Sequence, residues 1–171
     1  MRKTLCIFLI ILLLLSAPGC GTKKPDDSAS VSFYYLRKAD SYIYGAPDGV
    51  VSSEERDDSA SSGTGYLLSL YLMGPLDENL QSPFPAGCRI TNIIQNGTEV
   101  TIVLNTNFTT LKGIHLTLAC VCLARTCMSV TGAETVNIQA ETFSGQIIPI
   151  ETITVNSLLL EDTATPTENP S

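Results

Sequence analysis

Six cysteines carry the densest reactive chemistry in this 171-residue chain, and three of them fall together in CVCLARTC as Cys120, Cys122 and Cys127. With Cys88 they make four thiols in the body of the chain, enough for two disulfides in any of three alternative pairings, a metal site or a nucleophile. The C-x-C-x4-C spacing suggests thiolate ligation of a metal. Helical geometry argues otherwise. If residues 113–131 form a helix, Cys120 and Cys127 share one stripe about 10 Å apart, and Cys122 points roughly 200° away from Cys120. No pair within such a helix meets disulfide geometry, and one tetrahedral metal site is disfavoured. Buried apolar thiols are the expectation, ahead of a Cys88 bridge to one helical cysteine and of metal or catalytic use.

The remaining chemical inventory is thin. His115 is the only histidine, and its neighbours Ile114, Leu116 and Leu118 predict a core or helix-surface imidazole rather than a catalytic base. There is no G-x-S-x-G elbow, P-loop or G-x-G-x-x-G, and the GTG at residues 63–65 reads as a helix start rather than a phosphate cradle. The acid pairs Glu54–Glu55 and Asp57–Asp58 could be glycosidase carboxylates or calcium ligands. Adjacent like charges in a polar loop are more simply solvated, or set at a helix N-terminus where they favour the dipole. Tyr34, Tyr42, Tyr44, Tyr66 and Tyr71 could line a ligand groove but fit strand faces and a packed helix better. The expectation is a protein that is not an enzyme, with no catalytic residue, no metal and no cofactor.

One further cysteine has a different meaning. Arg2 and Lys3 precede an apolar run over residues 5–15, too short for the roughly 20 residues of a membrane-spanning helix. The run ends in Ser16, Ala17, Pro18, Gly19 and Cys20, which resembles a bacterial lipobox. That resemblance implies a lipoprotein signal peptide over residues 1–19 and lipidation of Cys20, which fixes the chain to the extracytoplasmic face of the cell membrane. Each buried acyl methylene contributes about 0.8 kcal/mol, so two chains on one residue hold firmly. Without Arg2 and Lys3 the balance is eight basic against seventeen acidic residues, a formal charge of −9. A surface of that sign repels phosphate, so nucleic acid is not an expected partner.

The elements follow from pattern. Residues 20–30 read as a flexible tether, and residues 161–171, acidic and rich in Thr and Pro, as a disordered tail. Residues 31–40 predict a strand with Val31, Phe33 and Tyr35 on one face, followed by YIYG from residue 42 and GVVSSEER from residue 49 as extended pieces of a hairpin. Capping residues at 57–62 lead into a short apolar helix that Gly74 and Pro75 stop sharply. Pro83 and Pro85 stiffen the connection to a hairpin whose turn is expected at Asn96-Gly97 as type I′. A second helix of about 20 residues, closed at Gly132, carries Ile114, Leu118, Val121, Ala124 and Met128 near one stripe. TVNIQAETF and IIPIETITV are further extended segments, with Pro149 marking an edge or an irregularity. The fold class expected is α/β in the α+β two-layer sense, a mixed β-sheet with two main helices packed on it.

LLSLYLMGP, then SPFPAGCRITNII, GTEVTIVLNTNF, a long helix and AETVNIQAE together resemble the GerMN domain of sporulation and spore-germination lipoproteins. The most specific residues are Leu72, Met73, Gly74 and Pro75, followed by Ser82, Pro83, Phe84, Pro85 and Gly87. The resemblance covers most of a domain placed at residues 31–160. It implies a ring-building-motif-like fold and a noncatalytic role in assembling envelope or sporulation-complex proteins, with homo-oligomerisation among the options. The cysteine cluster on the long helix departs from the family pattern, and the chain has room for one such domain where the naming member carries two. The rival expectation is an extracytoplasmic small-ligand- or cell-wall-binding lipoprotein.

Overall fold

A computed structural model describes residues 30–39, 50–56 and 62–159. The leader, Cys20, most of the tether, the YIYG segment, Asp57, Asp58 and the acidic tail lie outside the described residues.

Strand β1 (Val31–Arg37) alternates as expected, burying Val31, Phe33 and Tyr35. It pairs antiparallel with β2 (Val51–Arg56), from Val31 opposite Arg56 to Leu36 opposite Val51. On its other side a two-residue strand, β3 (Leu80–Gln81), pairs only with Leu36 and Arg37. Helix α1 (Thr64–Leu72) starts at Gly63, which has no side chain to cap it; of the capping residues expected at 57–62, only Ser62 lies among the described residues. Gly74, at φ 104°, takes the left-handed turn that a side chain would resist, and Pro75 follows.

The second sheet has the order β4 (Ile90–Asn96), β5 (Glu99–Leu104), β6 (Thr135–Glu141) and β7 (Ile147–Thr154). β4–β5 and β6–β7 are antiparallel, whereas β5–β6 is parallel and is crossed by helix α2 (Ile114–Thr131). A short helix α3 (Val155–Leu159), not foreseen in the sequence, ends the described chain. The two-layer α+β arrangement with a mixed sheet is present, its strands divided between this sheet and the antiparallel one around β1.

Two local details differ from expectation. Asn96 pairs with Glu99, so the hairpin loop is Gly97-Thr98, and only Gly97 has positive φ, the pattern of a type II′ turn. This register sets Ile93 opposite Ile102 and, past a bulge, Ile90 opposite Leu104, so both isoleucines pack against the core. Side-chain burial overrides the local preference of Asn-Gly. In α2 the buried residues are Ala119, Cys120, Cys122, Leu123, Ala124, Thr126 and Cys127, while Ile114 stands 64% exposed. The expected stripe is displaced because α2 is gripped on two sides, by β1 and by the second sheet.

The grip on β1 is specific. Beyond β3 one edge of β1 is open, and α2 closes it: Ser32 N–H donates to Ser129 Oγ and Tyr34 N–H to Thr126 Oγ1, both at 2.9 Å. Tyr71 of α1 donates its hydroxyl to Tyr34 O at 2.8 Å, and Tyr35 donates to Tyr71 O at 2.9 Å. Backbone donors and acceptors on that edge are thus satisfied by helix side chains. Tyr71 also meets Phe33, Tyr35 and Phe84 at ring-centroid distances of 5.6, 5.0 and 5.5 Å, joining sheet, helix and the Pro83–Pro85 connection in one core.

Candidate functional site

The four thiols are dispersed through the interior, free and buried. Desolvation holds each in the neutral form: Cys88 and Cys127 are pushed up to about 11, Cys120 and Cys122 to about 12. Glu151 adds to the shift at Cys120, Arg125 opposes it at Cys122, and the Thr131 hydroxyl opposes it at Cys127. A thiol held neutral is a poor nucleophile and a poor ligand. Among the described residues no three His, Cys, Asp or Glu side chains come together as a metal-binding group.

Cys120 lines a concavity that brings several polar groups together. Thr117, Cys120 and Val121 of α2 meet Glu151, Thr152 and Ile153 of β7 and Ser157 and Leu158 of α3 around a cleft of about 220 Å³. His115 lies exposed at the start of α2, outside that lining. Tyr71 and Tyr35 are core residues, Tyr66 is exposed, and Tyr34 is half-buried with the Arg125 guanidinium 5.7 Å from its ring centroid. These tyrosines do not converge on a groove. Tyr42 and Tyr44 lie outside the described residues.

Glu54 corrects the reading of the acid pairs as solvated loop charges. It sits on β2, pairs with Arg56, and accepts the N–H groups of Leu76 and Asp77 at 2.8 and 2.9 Å. Arg56 in turn donates to Gly74 O at 3.2 Å and lies over the Phe33 ring, 5.5 Å from its centroid. The pair fastens the chain after α1 to the first sheet. Its neighbour Glu55 points to solvent, where hydroxyl hydrogen bonds from Ser32 and Ser30 hold its carboxyl below the usual range.

The surface feature with the clearest binding chemistry is the outer edge of β4. Among the described residues only β5 pairs with it, on one side, and its sequence ITNIIQN carries no charge, no proline and no lysine, the usual guards of an open edge. Thr91, Asn92, Ile94, Gln95 and Asn96 are exposed, Ile94 by 46%. The adjoining solvent face is polar, with Asn137 bonded to Glu99 and receiving the Thr152 hydroxyl across three strands. Sequence reasoning identified the strand but not its edge position, which depends on how β5 and β6 pair. It also missed Thr126 and Ser129, although two hydroxyls one turn apart on an apolar helix are a usable signal.

No family model, no curated protein and no solved structure compared with this chain matches it.

Proposed function

We propose that this chain is a noncatalytic assembly module, held through lipidated Cys20 on the extracytoplasmic face of a cell membrane, that recruits envelope proteins by strand addition to β4. The observation that carries the proposal is the uncharged, unguarded edge of β4. An extended partner segment gains main-chain hydrogen bonds there, and alternate side chains select it around Ile94. A second copy of the chain is one such partner and an envelope or sporulation-complex protein another. The neutral thiols support a role by contact, since none is poised to attack a substrate. The resemblance to the GerMN domain extends the proposal to sporulation or spore germination; expression confined to sporulation supports that extension and constitutive expression counts against it.

The test is affinity recovery of the native lipoprotein from its own membranes with and without Ile94→Lys. A charged side chain at the middle of an edge opposes pairing without touching the core, so partner recovery is expected to fall at least about tenfold. Recovery unchanged by the substitution refutes docking at β4. Palmitate labelling lost in Cys20→Ser supports the anchor, and labelling that persists removes it. A second reading, capture of a small ligand, rests on the cleft beside Cys120 and Glu151. At about 220 Å³ it lies below the roughly 300–1,000 Å³ usual for ligand pockets. Saturable binding of a wall fragment, abolished by Val121→Trp, would establish it.

A further inference from the structure

The largest exposed apolar side chains of the first half of the fold gather where the anchored chain would enter it. Tyr66, Leu70 and Met73 recur at i, i+4 and i+7 along α1 and its C-terminal residue, which puts them on one stripe. Tyr66 is 59% and Met73 83% exposed, and Leu76, just past the Gly74-Pro75 stop, is 77% exposed. The other side of α1, with Leu67, Leu68 and Tyr71, fills the core and Leu70 packs against its margin, while Tyr66, Met73 and Leu76 stay largely exposed.

The chain past this stripe is tied to β2, the strand that pairs with β1. Val31 is the partner of Arg56, whose guanidinium donates to Gly74 O, and Glu54, opposite Phe33, holds the N–H groups of Leu76 and Asp77. Residues 21–30, which separate Cys20 from Val31, reach at most about 35 Å even when fully extended. A lipid on Cys20 therefore keeps Val31 within that distance of the bilayer, and the chain at Gly74 and Leu76, tied to β2 beside β1, at a high local concentration relative to it.

From this juxtaposition we propose that Met73 and Leu76, with Tyr66 and Leu70 behind them, form a membrane-contacting patch that seats the domain on the outer leaflet in one orientation. The proposal rests on the lipid anchor of the preceding section. Methionine and leucine enter the acyl boundary, and a tyrosine on the same stripe suits the headgroup level. Asp77 and Glu78 follow Leu76 directly, so the contact suits a zwitterionic surface and is opposed by anionic lipid. The contact would also set the direction of the β4 edge relative to the membrane.

The chain contains no tryptophan, so single replacements are background-free reporters. The full lipoprotein carrying Leu76→Trp or Met73→Trp is reconstituted into phosphatidylcholine vesicles with and without brominated acyl chains. Phe143→Trp is the control. Phe143 is 88% exposed, but it follows β6, which starts past the end of α2 that holds Ser32 and runs seven residues, about 23 Å, away from it. The expected result is a blue-shifted emission for Leu76→Trp and Met73→Trp, quenched at least twofold by bromolipid, with Phe143→Trp unquenched. Quenching no greater than that of Phe143→Trp, in protein that floats with the vesicles, overturns the patch and leaves the anchor standing. Wild-type protein that does not float overturns both. Loss of a protein partner in detergent on Leu76→Ser would make the patch a protein-binding surface and overturn the lipid contact.

Discussion

Replacing Thr126 by valine removes one hydroxyl and keeps the shape of the side chain, so no cavity opens. What is lost is the acceptor for Tyr34 N–H, 2.9 Å from Thr126 Oγ1, at a residue with no exposed surface. Water cannot reach the site to replace it, and a buried donor without a partner costs about 1–3 kcal/mol. Tyr71 keeps its own bond to Tyr34 O but loses the Thr126 hydroxyl beside its own, and about 2 kcal/mol is expected. Ser129→Ala removes the matching acceptor for Ser32 N–H one turn further on, where solvent is at hand, and should cost less than about 0.5 kcal/mol. Urea unfolding followed by far-ultraviolet circular dichroism, on the chain from residue 21 onward, reads both. With a slope of about 2 kcal/mol per molar, the Thr126→Val midpoint should fall by about 1 M at unchanged slope. A midpoint within about 0.2 M of the parent, or equal to that of Ser129→Ala, refutes the claim that α2 hydroxyls complete the β1 edge.

Glu54→Ala leaves the Arg56 guanidinium, whose side chain is only 9% exposed, without its partner, and should cost about 3 kcal/mol. Adding Arg56→Met should recover part of that loss in a double-mutant cycle, and strict additivity would argue against the coupling. Gly87→Ala should destabilise more than Gly97→Ala. Both positions have positive φ, but a Cβ at Gly87 would stand 2.7 Å from Asn107 Nδ2 and displace its bond to Ala86 O, whereas Gly97 faces open space. Matched thermal melts check the order. A thiol reagent at pH 8 should leave Cys88, Cys120, Cys122 and Cys127 unmodified in the native protein and modify all four in denaturant. Because burial raises these thiols from 9.0 to about 11 or 12, the unfolded chain loses their protons first. Stability from this source is full below pH 9 and is lost as pH rises through 11 to 12, and a stability profile flat across that window would contradict it.

Periodicity made much of the fold legible. Val31, Phe33 and Tyr35 declare their face by alternation, and Gly132 ends α2 because its left-handed conformation, φ 69°, admits the closing bond to Met128 O. Pro149 sits opposite Gln139 at the irregularity in the edge strand β7, as its missing N–H requires. The hairpin turn was legible at Asn96-Gly97 but its register and type were not, and neither were the two-residue β3 and the short α3, since each is set by neighbours distant in sequence. The same holds for the candidate site: Cys20 is named by its local context, whereas the standing of β4 as an open edge depends on the pairing of β5 with β6 some thirty residues later.

By itself the sequence determined the longer strands, the two main helices, the stops at Gly74 and Gly132 and the acidic charge, because these depend on period, propensity and composition within a few turns of chain. Only the tertiary structure decided that Glu54 is a clamp for the chain after α1, that Thr126 and Ser129 complete a sheet, and that the chain at Gly74 and Leu76 is tied to β2. Those assignments depend on desolvation and on the geometry of hydrogen bonds between segments far apart in the chain, and neither exists until the core has closed.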